Sequence, residues 1–446
     1  MCNPRVKWSI LHGVDSPGGR AAAEPATAEG LVDRVRAVTP LIAATAAEAE
    51  AQRRPLDHVI EALKATGVFR SFVPARYGGY EIDLQTFVDI GLAVARADAS
   101  MGWITTFYME HNWLLTMFPD ELRDEVFGAQ PYVLAPGSVN PTGRATPLVG
   151  GEHLLSGHWQ FGTGICHADW VLLSGRVVAA DGEESPQPRY FLVPVDDVEV
   201  KDTWHVDGMA ATGSRDILAA DVTVPAHRIS LAVPPVLTAG LDAPYLVRIP
   251  VMPMLSLTAA MPALGAAQRA VELFEDLVLH RIQFGTRRTQ STRVPTQVRL
   301  ANMVVEVDAV EAQMRAVVDR MQAHAAGADP VAVLDLLDQQ KLRLALAHVV
   351  RRCRDVVREV LASSGASVHY LDHELQRIHR DVHMIAAHTV FDVDLVAEGV
   401  GRELVRLLAE RAAPDDPPGA APGVPGVPGV PGVPGIPGSD PRGGQP

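Results

Sequence analysis

GGEHLLSGHWQFGTGICHADW, from Gly150 to Trp170, is the most informative run in this chain of 446 residues. It reads as a strand, a turn and a second strand. At the turn stands one small hydroxyl residue, Thr163, between Gly162 and Gly164, with the aromatic Phe161 two residues before it. Glycines lack a Cβ, so they let a backbone come close to a flat partner.

On both sides of this β-rich centre the pattern is helical. From Gly30 to Phe127, Leu31, Val35, Val38 and Ile42 recur at helix spacing, as do Leu56, Ile60 and Leu63. SMGWITTFYMEHNWLLTMF adds an apolar helix that ends before Pro119 and suggests an apolar pocket. Between Tyr132 and Leu231 short runs such as WVLLSGRVV and RYFLVPV alternate with Gly, Pro and Asp, the signature of a small barrel or sandwich. Beyond Val251 long helical patterns return, with starts expected at Pro295, Pro330 and Leu371. The divisions expected are a disordered start over 1–28, a helical domain over 29–130, a β-domain over 131–235, a helical bundle over 236–412 and a disordered tail over 413–446. In that tail a glycine preceded by proline recurs every third residue from Gly423 to Gly438. The run is short for a triple helix and reads as an extended chain.

The formal charge of -14 argues against nucleic acid or an anionic membrane as main partner. Cys2, Cys166 and Cys353 are too few and scattered for a disulfide framework or a zinc site. No metal site is expected, nor a signal peptide or membrane span, and the expected compartment is the cytoplasm. GTGICH begins like a dinucleotide-binding turn but lacks the third glycine, so no nicotinamide domain is visible.

The helical–β–helical order, together with the Thr163 turn, VPARYGG, DGMAATGSRDILAADVTVP and HRIQFG, resembles the acyl-CoA dehydrogenase superfamily over roughly residues 30 to 410. The resemblance implies an α+β fold: an N-terminal all-α domain, a central β-barrel or sandwich, and a C-terminal four-helix bundle. It implies that the Thr163 hydroxyl reaches the flavin N5 and that Phe161 lies against the ring. Arg281 of HRIQFG would contact the flavin pyrophosphate of a neighbouring subunit in a homotetramer, with Phe284 beside it, and Ser214 would touch flavin or substrate. An arginine fork suits phosphate.

The chain departs from true dehydrogenases in lacking a YEG-type glutamate before its last helix. It carries LQRIHRDVHMIAAHTVFDVD instead, whose Arg380, Asp381 and His388 resemble the signature of the flavin monooxygenase branch. That branch includes the oxygenase components of p-hydroxyphenylacetate and secosteroid hydroxylases, dibenzothiophene monooxygenase and amino-sugar N-oxygenases. By spacing, Asp381 and His388 are seven residues apart and would share one helix face; a lone helix histidine can equally be structural. The branch further implies that His111 in YMEHNWLL faces the substrate and draws off a proton, and that His167 serves a structural role.

A two-component enzyme is then expected. A separate NAD(P)H-dependent flavin reductase would deliver reduced FMN or FAD by diffusion. Reaction with O2 would pass through a C4a-hydroperoxide to hydroxylate an aromatic or polyketide-like small molecule. Three alternatives stay open: an N- or S-oxygenating member, an acyl-CoA dehydrogenase or oxidase with Glu374 or Asp372 as base, and a flavin-free scaffold.

Overall fold

The computed structural model describes residues 27–231, 244–327 and 333–412. Almost all of the expected disordered start, the expected tail and the expected β-to-helix boundary at 235 lie outside the described residues.

The chain opens with five helices: α1 (Leu31–Gln52), α2 (Asp57–Thr66), α3 (Leu84–Ala97), α4 (Ala99–Leu115) and α5 (Asp120–Phe127). Asp83 caps α3, accepting from the Thr86 N–H at 2.8 Å, and Asp98 caps α4, accepting from the Met101 N–H at 2.8 Å. Every residue of α4 except Phe107 is buried, so the helix runs through the middle of the molecule, as a helix apolar on all sides must.

Seven strands follow: β1 (Gly137–Pro147), β2 (His153–Gly162), β3 (Trp170–Val177), β4 (Arg189–Pro194), β5 (Glu199–Lys201), β6 (Arg215–Val224) and β7 (Ile229–Leu231). They form one sheet in the order β5-β6-β2-β1-β3-β4-β7, with β1 and β3 parallel and the other neighbours antiparallel. Period-2 alternation sorts β3 and β4 between two cores. Val171, Leu173, Phe191 and Val193 join Leu155, Trp159 and Ile217 in a core of the sheet's own. Leu172, Tyr190 and Leu192 face the other way and join the helical core. Trp159 of β2 reaches past β1 to donate its indole N–H to the Ser174 carbonyl of β3 at 2.7 Å, so the sheet curls over its own core.

The second helical set is α6 (Tyr245–Arg248), α7 (Val251–His280), α8 (Val294–Ala326), α9 (Leu336–Ser364), α10 (Glu374–Ala386) and α11 (Val393–Ala412). Pro295 stands in the first turn of α8, where its missing N–H costs nothing. The helix expected from Pro330 begins at Leu336, capped by Asp335, and the one expected from Leu371 begins at Glu374, capped by His373. Contrary to expectation, α7 is long and apolar enough to cross a membrane; most of it is buried in the bundle core. The described residues from Arg402 to Ala412 belong to a separate unit, in which Arg406 pairs with Glu403 and Glu410.

Candidate active site

Trp103, Phe107 and His111 recur every fourth residue along α4 and so share one face. Trp103 stacks on Phe107, centroids 4.6 Å apart, and Phe107 meets the His111 ring edge-on at 5.7 Å. At the other end His388 meets Trp103 edge-on at 5.5 Å. One row of rings therefore joins the two histidines.

Thr163 comes to the same row from the sheet. Its Oγ1 accepts from the Trp103 indole N–H at 3.3 Å and lies 3.0 Å from Ser214 Oγ, which is itself 2.7 Å from Thr212 Oγ1. Thr163 and Ser214 are both buried. The flanking glycines also answer to internal packing. A Cβ at Gly164, where φ is +74°, would fall 2.5 Å from the Tyr108 hydroxyl, and one at Gly162 would fall 2.8 Å from Ile217 Cδ1.

The histidines differ in environment. His111 is 2 % exposed, and its Nδ1 lies 2.7 Å from the Ala135 carbonyl. A carbonyl only accepts, so Nδ1 carries the proton and Nε2 is left as an acceptor. Burial lowers its pKa to about 4, against which the Ala135 bond acts weakly, so the ring is neutral at neutral pH. His388 is exposed in the single chain. Its Nδ1 accepts the Val390 N–H at 3.3 Å, which leaves Nε2 to carry the proton. Partial dehydration by the protein around it lowers its pKa as well.

The shared helix face expected for Asp381 and His388 does not exist. Helix α10 ends at Ala386, and His388 caps the short 3-10 turn Thr389–Phe391. Arg380 and Asp381 dock α10 instead. Arg380 pairs with Glu50 of α1 and donates to the Asp207 carbonyl, and Asp381 accepts the Met209 N–H at 2.5 Å. Asp381 lies buried near Asp98, the cap of α4, with Arg377 3.8 Å from Asp98. Burial first, and then the charge of Asp98, push the Asp381 carboxyl up to about 8.

The remaining expected residues stand apart from the ring row. Arg281 follows the end of α7 and donates to the Ser364 carbonyl, so within one chain it caps α9. Phe284 is fully exposed on the loop after α7. His167 binds Asp57 at 2.9 Å. Glu374 is forked by Arg269 at 2.8 and 3.1 Å, and Asp372 lies exposed at the surface. Trp103 and Phe107 were not singled out from sequence, although their spacing from His111 was there to read.

Phe161 tests whether a flat cofactor fits. It is held at φ +66°, a conformation that costs a non-glycine residue about 1–3 kcal/mol. Its ring is nevertheless 60 % exposed, meeting Trp204 only edge-on at 5.9 Å. Strain that turns an apolar ring outward, beside the buried hydroxyls of Thr163 and Ser214, suits a flat ring with a polar edge. The donors and acceptors present fit a flavin.

Comparison with known proteins bears on the same point. Residues 257–393 match the acyl-CoA dehydrogenase C-terminal domain. The chain is 30 % identical over 376 residues to a pigment production hydroxylase of Rhodococcus sp. (strain ATCC 21145), covering 83 % of this chain and 95 % of that one. It is 28 % identical to the oxygenase component of p-hydroxyphenylacetate 3-hydroxylase of Acinetobacter baumannii, covering 84 % and 89 %. Among solved structures, XiaF from Streptomyces sp. in complex with FADH2 and glycerol aligns with a TM-score of 0.79 at 28 % identity, over 85 % of this chain and 95 % of that one. The chain belongs to the flavin-dependent monooxygenases of the acyl-CoA dehydrogenase superfamily.

Proposed function

We propose that this monooxygenase is the oxygenase component of a two-component system that hydroxylates an aromatic or polyketide-like compound bearing a hydroxyl group. Reduced FAD or FMN would reach it by diffusion from a separate NAD(P)H-dependent reductase. The observation that carries this reading is the single row of rings with an acceptor histidine at one end and a donor histidine at the other, and with the Thr163 hydroxyl beside its middle. The first comparison proteins, a hydroxylase, an oxygenase component and an FADH2-bound structure, support it.

When bound, the flavin supplies the activation of O2. The protein's part is to hold groups in place and keep water out. Thr163 Oγ1 would accept a hydrogen bond from the flavin N5–H, with Ser214, 3.0 Å away, steadying the hydroxyl. His388 offers its Nε2–H to an oxygen atom at the open end of the row. His111 offers the Nε2 lone pair to the substrate hydroxyl, orienting it and taking its proton. Phe161 supplies an apolar face for the flavin ring. Arg281 and Phe284 would hold the flavin of a neighbouring subunit in a homotetramer, and the enzyme would work in the cytoplasm.

The test supplies purified protein with reduced flavin, from any NADH-dependent flavin reductase, and a panel of phenols. Product carrying one oxygen atom from O2, formed only with reduced flavin, is the expected result. Flavin reduced by an acyl-CoA, or O2 converted only to peroxide across the panel, would refute the proposal.

A further inference from the structure

Helix α4 carries one acid, Glu110, beside His111 in an otherwise apolar or neutral run. It is 0 % exposed, and neither carboxylate oxygen has a hydrogen-bond partner among the described residues. A buried charge without a partner is far costlier than a buried neutral acid, so Glu110 is held as the protonated carboxyl. Its pKa is accordingly raised well above the ordinary range, by burial. A neutral acid with no partner still forfeits an O–H donor, which proteins seldom tolerate without use.

Its surroundings show where that donor can act. Glu110 Oε2 lies 3.8 Å from His111 Nε2. This is too long for a direct hydrogen bond, yet one oxygen atom can stand about 2.8 Å from both. Nε2 is the acceptor nitrogen, because Nδ1 is spent on Ala135. Gly137, at the head of β1, borders the same edge. A Cβ there would come within 3.2 Å of His111 Cε1 and 3.3 Å of Nε2, so this position lacks a side chain just where a ligand atom would approach. Tyr190 of β4 stands near enough to feel a charge on Glu110, and across the β3–β4 ladder from it Ser174 holds a buried hydroxyl without a partner among the described residues. This side of α4 therefore holds more polar atoms than its own contacts satisfy.

We infer that Glu110 is a substrate-binding and specificity residue: its carboxyl O–H donates to the same hydroxyl oxygen whose proton His111 Nε2 accepts, so that the pair recognises one –OH group as donor and acceptor together. The inference rests on the role proposed for His111. It explains why an acid stands unpartnered beside a histidine whose other nitrogen is already fixed. A methyl or methylene at that place would leave both groups unmet, and sites of this kind reject such analogues more strongly than apolar pockets reject size changes.

The test measures binding rather than turnover. The full chain, loaded with reduced flavin without O2, is titrated with phenol and with toluene, which puts a methyl in place of the hydroxyl. Wild type is expected to prefer phenol. Glu110→Leu should lose about tenfold in phenol affinity and keep its toluene affinity, which also reports that the pocket has folded. Glu110→Gln keeps an N–H donor and should retain most of the preference. The inference is overturned if Glu110→Leu binds phenol within twofold of wild type, if Glu110→Gln loses the preference as fully as Glu110→Leu, or if wild type shows no preference. His111→Ala, titrated alongside, separates two failures. Loss of phenol binding in His111→Ala but not in Glu110→Leu removes Glu110 and leaves the His111 role standing, whereas no loss in either removes both.

Discussion

His111 and His388 end the same row of rings, yet the fold treats them in opposite ways. His111 sits inside α4, sealed, with Nδ1–H given to Ala135 and Nε2 left as a bare acceptor. His388 sits past the end of α10, open in the single chain, with Nδ1 taken by a backbone N–H and Nε2 left as a donor. Two identical side chains thus present complementary chemistry, decided by which backbone group each ring meets. An acceptor is what a substrate hydroxyl needs, and a donor is what a developing oxygen anion needs. On the proposed reading, the closed end would hold the substrate hydroxyl and the open end would serve the oxygen chemistry.

The harshest way to break this pairing is at the donor end. His388→Ala should lower product formation by ~10²–10⁴, the usual worth of a positioned proton donor. His388→Gln, which restores an N–H, should recover part of it. Product formed per minute with saturating reduced flavin is the quantity to follow, and a loss under threefold would remove His388 from the chemistry.

At the acceptor end the expected loss is smaller and of another kind. His111→Ala should cut product by roughly 10–100-fold, the scale of about 1–3 kcal/mol for a buried polar group left unmet, while reduced flavin goes on consuming O2, so peroxide replaces product. Measuring product and peroxide together against O2 consumed distinguishes the two ends. If both variants slow O2 consumption equally, the division of labour is wrong.

The middle of the row is tested by Thr163→Ala, which removes the hydroxyl held by Trp103 and Ser214. One hydrogen bond of ~1 kcal/mol corresponds to about a fivefold rise in peroxide release, and Thr163→Ser should reverse it. Equal peroxide release from Ala and Ser variants would show that the hydroxyl is not what matters there.

Acidity sharpens the contrast between the sealed groups. The His111 pKa falls from 6.5 to about 4 on folding, so its contribution to stability is present above 6.5 and is lost as pH falls towards 4. Asp381 shifts the other way, from 3.8 to about 8, so its contribution is present below 3.8 and is lost as pH rises through about 8. Unfolding midpoints should therefore decline on both sides, and Asp381→Asn should flatten the alkaline decline alone. An unchanged alkaline limb in that variant would place the cause elsewhere.

Sequence made some of this arrangement readable and hid the rest for physical reasons. Apolar periodicity shifts from helical to strand spacing and back, which is why the order of helices, sheet and helices could be read without coordinates. The hydroxyl of Thr163 stood out because glycines flank it, although those glycines also serve the packing of Tyr108 and Ile217. The end of α10 was invisible: Ala386 and Ala387 favour helix, and no Gly or Pro marks the stop. His388 is aimed by the turn that follows, a tertiary effect that heptad arithmetic cannot anticipate. Arg281 read as a phosphate ligand because its motif resembles one, while its contact with Ser364 depends on where α9 ends. Glu110 was legible in kind, as a lone acid in a helix with no polar face, and only burial revealed that it lacks a partner.

The central claim, opposite tautomers at the two ends of one ring row, is open to nitrogen-15 NMR of the histidine rings in the full chain, with His111→Asn and His388→Asn assigning the signals. The account predicts that near neutral pH His111 is neutral with its proton on Nδ1, and stays so at about pH 6, while His388 is neutral with its proton on Nε2. The same tautomer at both rings, or a charged His111 at about pH 6, would contradict it.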